Sequence, residues 1–150
     1  MRLLFVCTGN TCRSPMAEAI FRHKIQGGAI EVRSAGVAAY DGQPASEHAQ
    51  KVLVERGIEH QHRARRIDDE LLDWADLVLT MTKGHKTMII SYFPTSSGKV
   101  YTLKEYVGDP SGEIADPFGG SLEIYRMAAA EIEQELDRLY TKLSDQFSNE

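Results

Sequence analysis

Four short apolar runs alternate with helical stretches along the chain, and this alternation constrains the fold more than any other feature. The runs are LLFVC (3–7), AIEVRSAGV (29–37), ADLVLTMT (75–82) and KVYTL (99–103). Each is short and apolar with β-branched residues, as buried strands require. A helix is expected from Ser14 as N-cap, with Pro15 in its first turn. Its stripe is Ala17, Ile20 and Phe21 under the stem of Lys24, and Gly27-Gly28 ends it. A second helix is expected from Pro44 to Arg56, with Ala45, Ala49, Val52 and Leu53 on one face and Gly57 as its stop. A short helix at 68–74 and one from Lys83 to Tyr92, broken by Pro94, complete the middle of the chain. Residues 104–120 read as loop, and SLEIYRMAAAEIEQELDRLYTKL as a long amphipathic helix. The order predicts an α/β fold: a doubly wound parallel four-stranded sheet with helices on both faces. No repeat, linker or low-complexity tract interrupts residues 1–150, so a single domain is expected.

Composition narrows the function classes. The chain has 150 residues, 42% hydrophobic, which suits one real core. No apolar run approaches the roughly 18 residues of a membrane span, and MRLLFVCTGN lacks the pattern of a signal peptide. Two cysteines, Cys7 and Cys12, are too few for a disulfide scaffold, so a cytoplasmic protein with free thiols is expected. The net charge of −5 argues against nucleic acid as the main partner. The basic stretch HQHRARR (60–66) is followed by DDE and reads as a solvated face. A monomer is expected.

In a doubly wound sheet, ligands bind beyond the carboxyl ends of the strands. The first such loop is contained in FVCTGNTCRSP (5–15). Gly9 and Asn10 tolerate left-handed backbone, which lets successive amides turn inward as an anion-binding nest. The following helix adds its positive end, and Arg13 adds a planar fork matched to phosphate oxygens. Cys7 lies at the base of this cradle, where positive surroundings favour the thiolate, and Ser14 can donate to it. A thiolate beneath a tetrahedral anion is placed for attack on phosphorus. Thr8, Gly9, Asn10, Thr11, Cys12 and Ser14 are therefore expected to bind substrate. A mononucleotide loop would need a second Gly and a Lys, which are missing. A redox dithiol of Cys7 and Cys12, or a merely structural cysteine, stay open on spacing alone. Covalent catalysis also needs a general acid. Glu105, Asp109, Glu113 and Asp116 all lie in the 104–120 loop, and spacing does not choose among them.

VCTGNTCRSPMAE resembles the signature loop of the low-molecular-weight protein tyrosine phosphatase family. The resemblance continues through SAG (34–36), ADLVLTMT and DPFGGS (116–121), and so covers nearly the whole chain. It implies that Cys7 is the nucleophile, Arg13 the phosphate clamp and Asp116 the general acid. It also implies that Asn10 and Ser14 support the loop and the thiolate, and that 1–150 is one phosphatase domain without metal or cofactor. Two departures bear on the substrate. Thr11 stands where the family commonly has Ile or Leu, and Phe118 is followed by Gly119 rather than a second aromatic. Both resemble the protein arginine phosphatase branch, which implies phosphoarginine in proteins as substrate, with phosphotyrosine as the alternative. A threonine hydroxyl can orient a guanidinium, and a hydrogen-bonding site discriminates better than shape alone. Phe118 can pack on the stem or stack on the guanidinium plane. An arsenate reductase would need further cysteines late in the chain, and none follows Cys12. A non-catalytic phosphoprotein-binding module would not need both Cys7 and Asp116.

Cys12 is close enough in sequence to form a disulfide with Cys7. His60 and His62 would share a face of a strand, but no carboxylate or cysteine pattern completes a metal site, so none is expected. His23, His48 and His85 read as surface or capping residues, and Trp74, Met81 and Met88 as core. Tyr125 reads as a surface or packing residue.

Overall fold

The computed structural model describes residues 1–148. The elements run β1 (Arg2–Cys7), α1 (Arg13–Ile25), β2 (Glu31–Gly36), α2 (Glu47–Glu55), α3 (Asp69–Trp74), β3 (Leu77–Thr80), α4 (Lys83–Tyr92), β4 (Val100–Thr102), α5 (Leu103–Tyr106) and α6 (Leu122–Ser148). All strand pairs are parallel, in the order β2-β1-β3-β4. β1 is covered on both faces, which is why it reads as an unbroken apolar run. Leu3, Phe5 and Cys7 point into a core shared with Phe21, Val52, Ile132 and Leu136 from α1, α2 and α6. Leu4 and Val6 point into a second core with Leu71, Leu72 and Ile89 from α3 and α4. Truncating one of these side chains, as in Leu136→Ala, costs about 2–5 kcal/mol.

The strand order reverses between β1 and β3, so their carboxyl ends open a crevice. Cys7 is the last residue of β1 and stands at that point. Among the described residues, no helix is long and apolar enough to cross a membrane.

Several boundaries differ from the sequence reading. α1 begins at Arg13 with Cys12 at the cap position, so Ser14 lies inside the helix and its hydroxyl serves the site instead. Ser46, not Pro44, opens α2 by accepting from the Ala49 amide. The expected 104–120 loop begins with one helical turn, because Thr102 and Glu105 form a reciprocal capping box. Met88 is 42% exposed rather than core, whereas Met81 is buried. Trp74 is only part-buried and carries the Arg33 guanidinium over its ring.

Candidate active site

The loop after β1 is held from behind through its carbonyls. Val37 and Ala38 amides donate to Cys7 O and Thr8 O, the Ser46 amide to Thr11 O, and the Met16 amide to Cys12 O. His62 Nε2 donates to Asn10 O at 2.6 Å. With the carbonyls drawn outward, the amides of Gly9, Asn10, Thr11 and Cys12 donate to no acceptor among the described residues. Successive unpaired amides of this kind are what an anion-binding nest requires. The single left-handed residue of the loop is Asn10, at φ 55°; Gly9 does not have a positive φ. Asn10 is fully buried. Its amide nitrogen donates to Ser14 Oγ (2.8 Å) and Ser34 Oγ (2.9 Å), and its Oδ1 accepts from the Arg65 amide (2.9 Å). Gly36 has a role that sequence inspection missed. A Cβ there would sit 2.5 Å from Thr8 O and 2.8 Å from the Asn10 amide nitrogen. Only a bare backbone lets β2 press so closely against the loop.

Cys7 is buried, and Ser14 Oγ lies 2.9 Å from its sulfur. Ser14 accepts from Asn10, and its own proton lies between the sulfur and the Ala35 carbonyl, which is farther away at 3.4 Å. Arg13 is 4% exposed. It donates from Nη1 to Ile114 O at 2.9 Å, while Nη2 lies 3.7 Å from Asp116 Oδ2. Its Nε is buried without a partner among the described residues. A guanidinium fixed at one end and unsatisfied on the edge beside the loop is suited to an oxyanion ligand. Together with Tyr40, Asp116 and Phe118, these residues line a cleft of about 420 Å³. Thr11 and Cys12 line it, whereas Asn10 and Ser14 stand behind the wall.

The structure separates the four acidic candidates. Glu105 accepts from the Thr102 amide and pairs with Lys86. Glu113 caps the Lys83 amide at 2.9 Å. Asp109 accepts from the Ser111 amide and pairs with Arg138 at 2.8 Å. Hydrogen bonds to Glu135 and Ser111 hold the Asp109 carboxyl well below the usual range. Burial, with Asp109 alongside, pushes the Glu135 carboxyl up to about 7. Asp116 alone of the four lines the cleft; its side chain is 54% exposed and accepts from the Phe118 amide.

His85 is a correction to the sequence reading, being buried rather than a surface residue. Its Nε2 lies 2.8 Å from Thr8 Oγ1. Burial, reinforced by Arg13, lowers its pKa to about 4, so the ring is neutral at pH 7. Tyr125 is likewise buried, with its hydroxyl 3.2 Å from Cys12 Sγ. Burial and that contact push its pKa up to about 12. Both cysteines are free thiols. His60 and His62 lie on an irregular segment rather than a strand, and their side chains are buried rather than solvated. The carboxylate missing from the local sequence comes from α1, where Glu18 joins the two imidazoles. Tyr40, from the segment after β2, supplies a second exposed aromatic at the cleft with Phe118, a placement that sequence inspection missed.

A family model described as low molecular weight phosphotyrosine protein phosphatase matches residues 2–149. A protein-arginine-phosphatase of Geobacillus stearothermophilus is 54% identical over 142 residues, covering 95% of each chain. One of Bacillus subtilis is 47% identical over 145 residues, covering 95% of this chain and 97% of that protein. Among solved structures, a mutant arginine phosphatase with a phosphorylated active-site serine superposes with a TM-score of 0.93 at 46% identity, covering 96% of each chain. The chain belongs to the low-molecular-weight phosphotyrosine protein phosphatase family.

Proposed function

We propose that residues 1–150 are one phosphatase domain that hydrolyses phosphoarginine in proteins through a phosphocysteine on Cys7. The observation that carries this reading is the floor of the cleft. The Arg13 Nε and the amides of the loop after Cys7 have no partner among the described residues, and Gly9, Thr11, Cys12 and Arg13 line the cleft together with Cys7. A phosphoryl group seated on those donors presents its phosphorus to the thiolate. Sulfur attacks, the P–N bond breaks, and Asp116 gives its proton to the departing guanidine nitrogen. In the second step Asp116 takes a proton from the attacking water. The S–P bond breaks, inorganic phosphate leaves, and the Cys7 thiolate is restored. The nest and Arg13 stabilise charge on the three equatorial oxygens in both steps.

Thr11 and Phe118 support the arginine substrate. The Thr11 side chain borders the cleft with a hydroxyl that can meet the guanidinium, and Phe118 offers an exposed ring to stack on its plane. One observation favours phosphotyrosine as a second substrate: Tyr40 and Phe118 are both exposed at the rim and could flank a phenyl ring. A nucleophilic thiol works only where it stays reduced, which supports the cytoplasm as its compartment. Every residue of the proposed site comes from one chain, so a monomer suffices.

The test is phosphate release from phosphoarginine and phosphotyrosine peptides of matched sequence, with Cys7→Ser as control. Faster turnover of phosphoarginine, abolished in Cys7→Ser, is the expected result. Turnover retained in Cys7→Ser, or a preference for phosphotyrosine, would refute the reading.

A further inference from the structure

We infer that Glu18, His60 and His62 form a binding site for a divalent transition ion of the zinc type, behind the phosphate loop. One carboxylate and two imidazoles are a familiar donor set for that ion. Their ligand atoms all lie within 4.8 Å of one another. Glu18 Oε2 is 3.9 Å from His60 Nε2, and Glu18 Oε1 is 3.9 Å from His62 Nδ1. Tetrahedral bonds near 2.1 Å place donors about 3.4 Å apart, so closure needs side-chain rotation of about 0.5 Å for the pairs at 3.9 Å and at most about 1.4 Å for a pair at the 4.8 Å limit.

Two details give the cluster direction. His62 donates from Nε2 to the Asn10 carbonyl, so in the neutral ring the lone pair sits on Nδ1, facing Glu18. His60 Nε2 is buried without a hydrogen-bond partner among the described residues, and its side chain is only 9% exposed. Groups that orient the ligands are also in place. The Asn10 carbonyl fixes the tautomer of His62, and the Ser34 hydroxyl donates to Glu18 Oε1.

Arg22 opposes the ion. Its Nη2 lies 2.9 Å from Glu18 Oε2, and it competes for that oxygen. The Arg22 side chain is 47% exposed and can turn toward water. Because His62 is bonded directly to Asn10, an ion here would brace the one left-handed residue of the loop from behind.

The test is titration of the reduced full-length protein with Co²⁺, followed by visible absorption, then displacement by Zn²⁺. The expected result is a single equivalent with the d–d bands of a nitrogen–oxygen site. Loss of a ligand in His60→Leu should weaken binding by at least about 100-fold, since even supporting groups around a site are worth 10–100-fold. Arg22→Gln should tighten it, a gain that misfolding does not produce. Three outcomes would overturn the inference: no binding of either ion, unchanged affinity in His60→Leu, or a sulfur charge-transfer band at the first equivalent. The last would place the ion on Cys7 or Cys12. None of these outcomes bears on the phosphatase reading, which gives neither histidine a part in the chemistry.

Discussion

The floor of the cleft and its rim are built on opposite principles. On the floor, Asn10 is buried and bonded to Ser14, Ser34, Arg65 and His62, and the neighbouring carbonyls are tied to the segments around residues 37–46. At the rim, Tyr40, Asp116 and Phe118 are exposed, and Asp116 is positioned by a turn bond to Phe118 and the distant edge of Arg13. The floor meets the same tetrahedral group in every substrate, so a preorganised cradle lowers the barrier without reorganisation. The rim meets what differs between substrates and delivers the proton, so it gains from side chains that adjust.

Substitutions on the two sides should therefore fail in different ways. The largest effect is expected at the acid. Asp116→Asn should lower kcat by about 10²–10⁴-fold while leaving the melting temperature nearly unchanged. Asp109→Asn should do the reverse, because Asp109 is committed to Arg138 and Glu135 of α6. Damage to kcat from Asp109→Asn alone would reassign the acid. On the floor, Gly36→Ala should lose both, since the added methyl meets backbone at 2.5 Å. A cost of about 1–3 kcal/mol, with a lower kcat, is expected for overpacking of this kind. Thermal melts and steady-state kinetics on one preparation check all three.

Thr11→Ile sharpens the comparison at the boundary between floor and rim. It should shift the ratio of phosphoarginine to phosphotyrosine kcat/KM by roughly tenfold or more toward phosphotyrosine. An unchanged ratio would remove Thr11 from substrate selection. The smallest effect concerns the anchor of the acid loop. Glu135 titrates near 7 in the fold against an ordinary 4.5, so the folded state holds a proton that the unfolded chain releases. This group costs stability as pH rises from about 4.5 to about 7, and the cost persists above that. Glu135→Gln should flatten that part of the stability–pH curve, as urea melts at several pH values would record.

The division between floor and rim also explains what the sequence made legible. β1, β3 and the loop between β1 and α1 could be read because strand burial and loop chemistry agree locally, although the helix begins before Ser14, its expected cap. Cys7, Arg13 and the role of the intervening amides follow from that one stretch. What escaped depends on contacts between distant segments. Glu18 meets His60 and His62 only because α1 packs against the segment before α3, so a carboxylate more than 40 residues away went unseen. Tyr125 reaches Cys12 across 113 residues, and His85 reaches Thr8 across 77. Gly36 looked like part of a motif, and its reason is a backbone approach that no periodicity encodes. Spacing alone does not separate Asp116 from Asp109; the resemblance favours Asp116, and the structure adds that Asp109 is already bonded elsewhere.

The central claim is that the sulfur of Cys7 takes the phosphoryl group from the guanidinium nitrogen. Acid-free rapid quenching of the enzyme with a phosphoarginine peptide, followed by peptide mass spectrometry, tests it most directly. Phosphate on the Cys7 peptide during turnover, absent when substrate is omitted, is the predicted result. Steady turnover with Cys7 unmodified at every time point, or phosphate carried by another residue, would contradict the account.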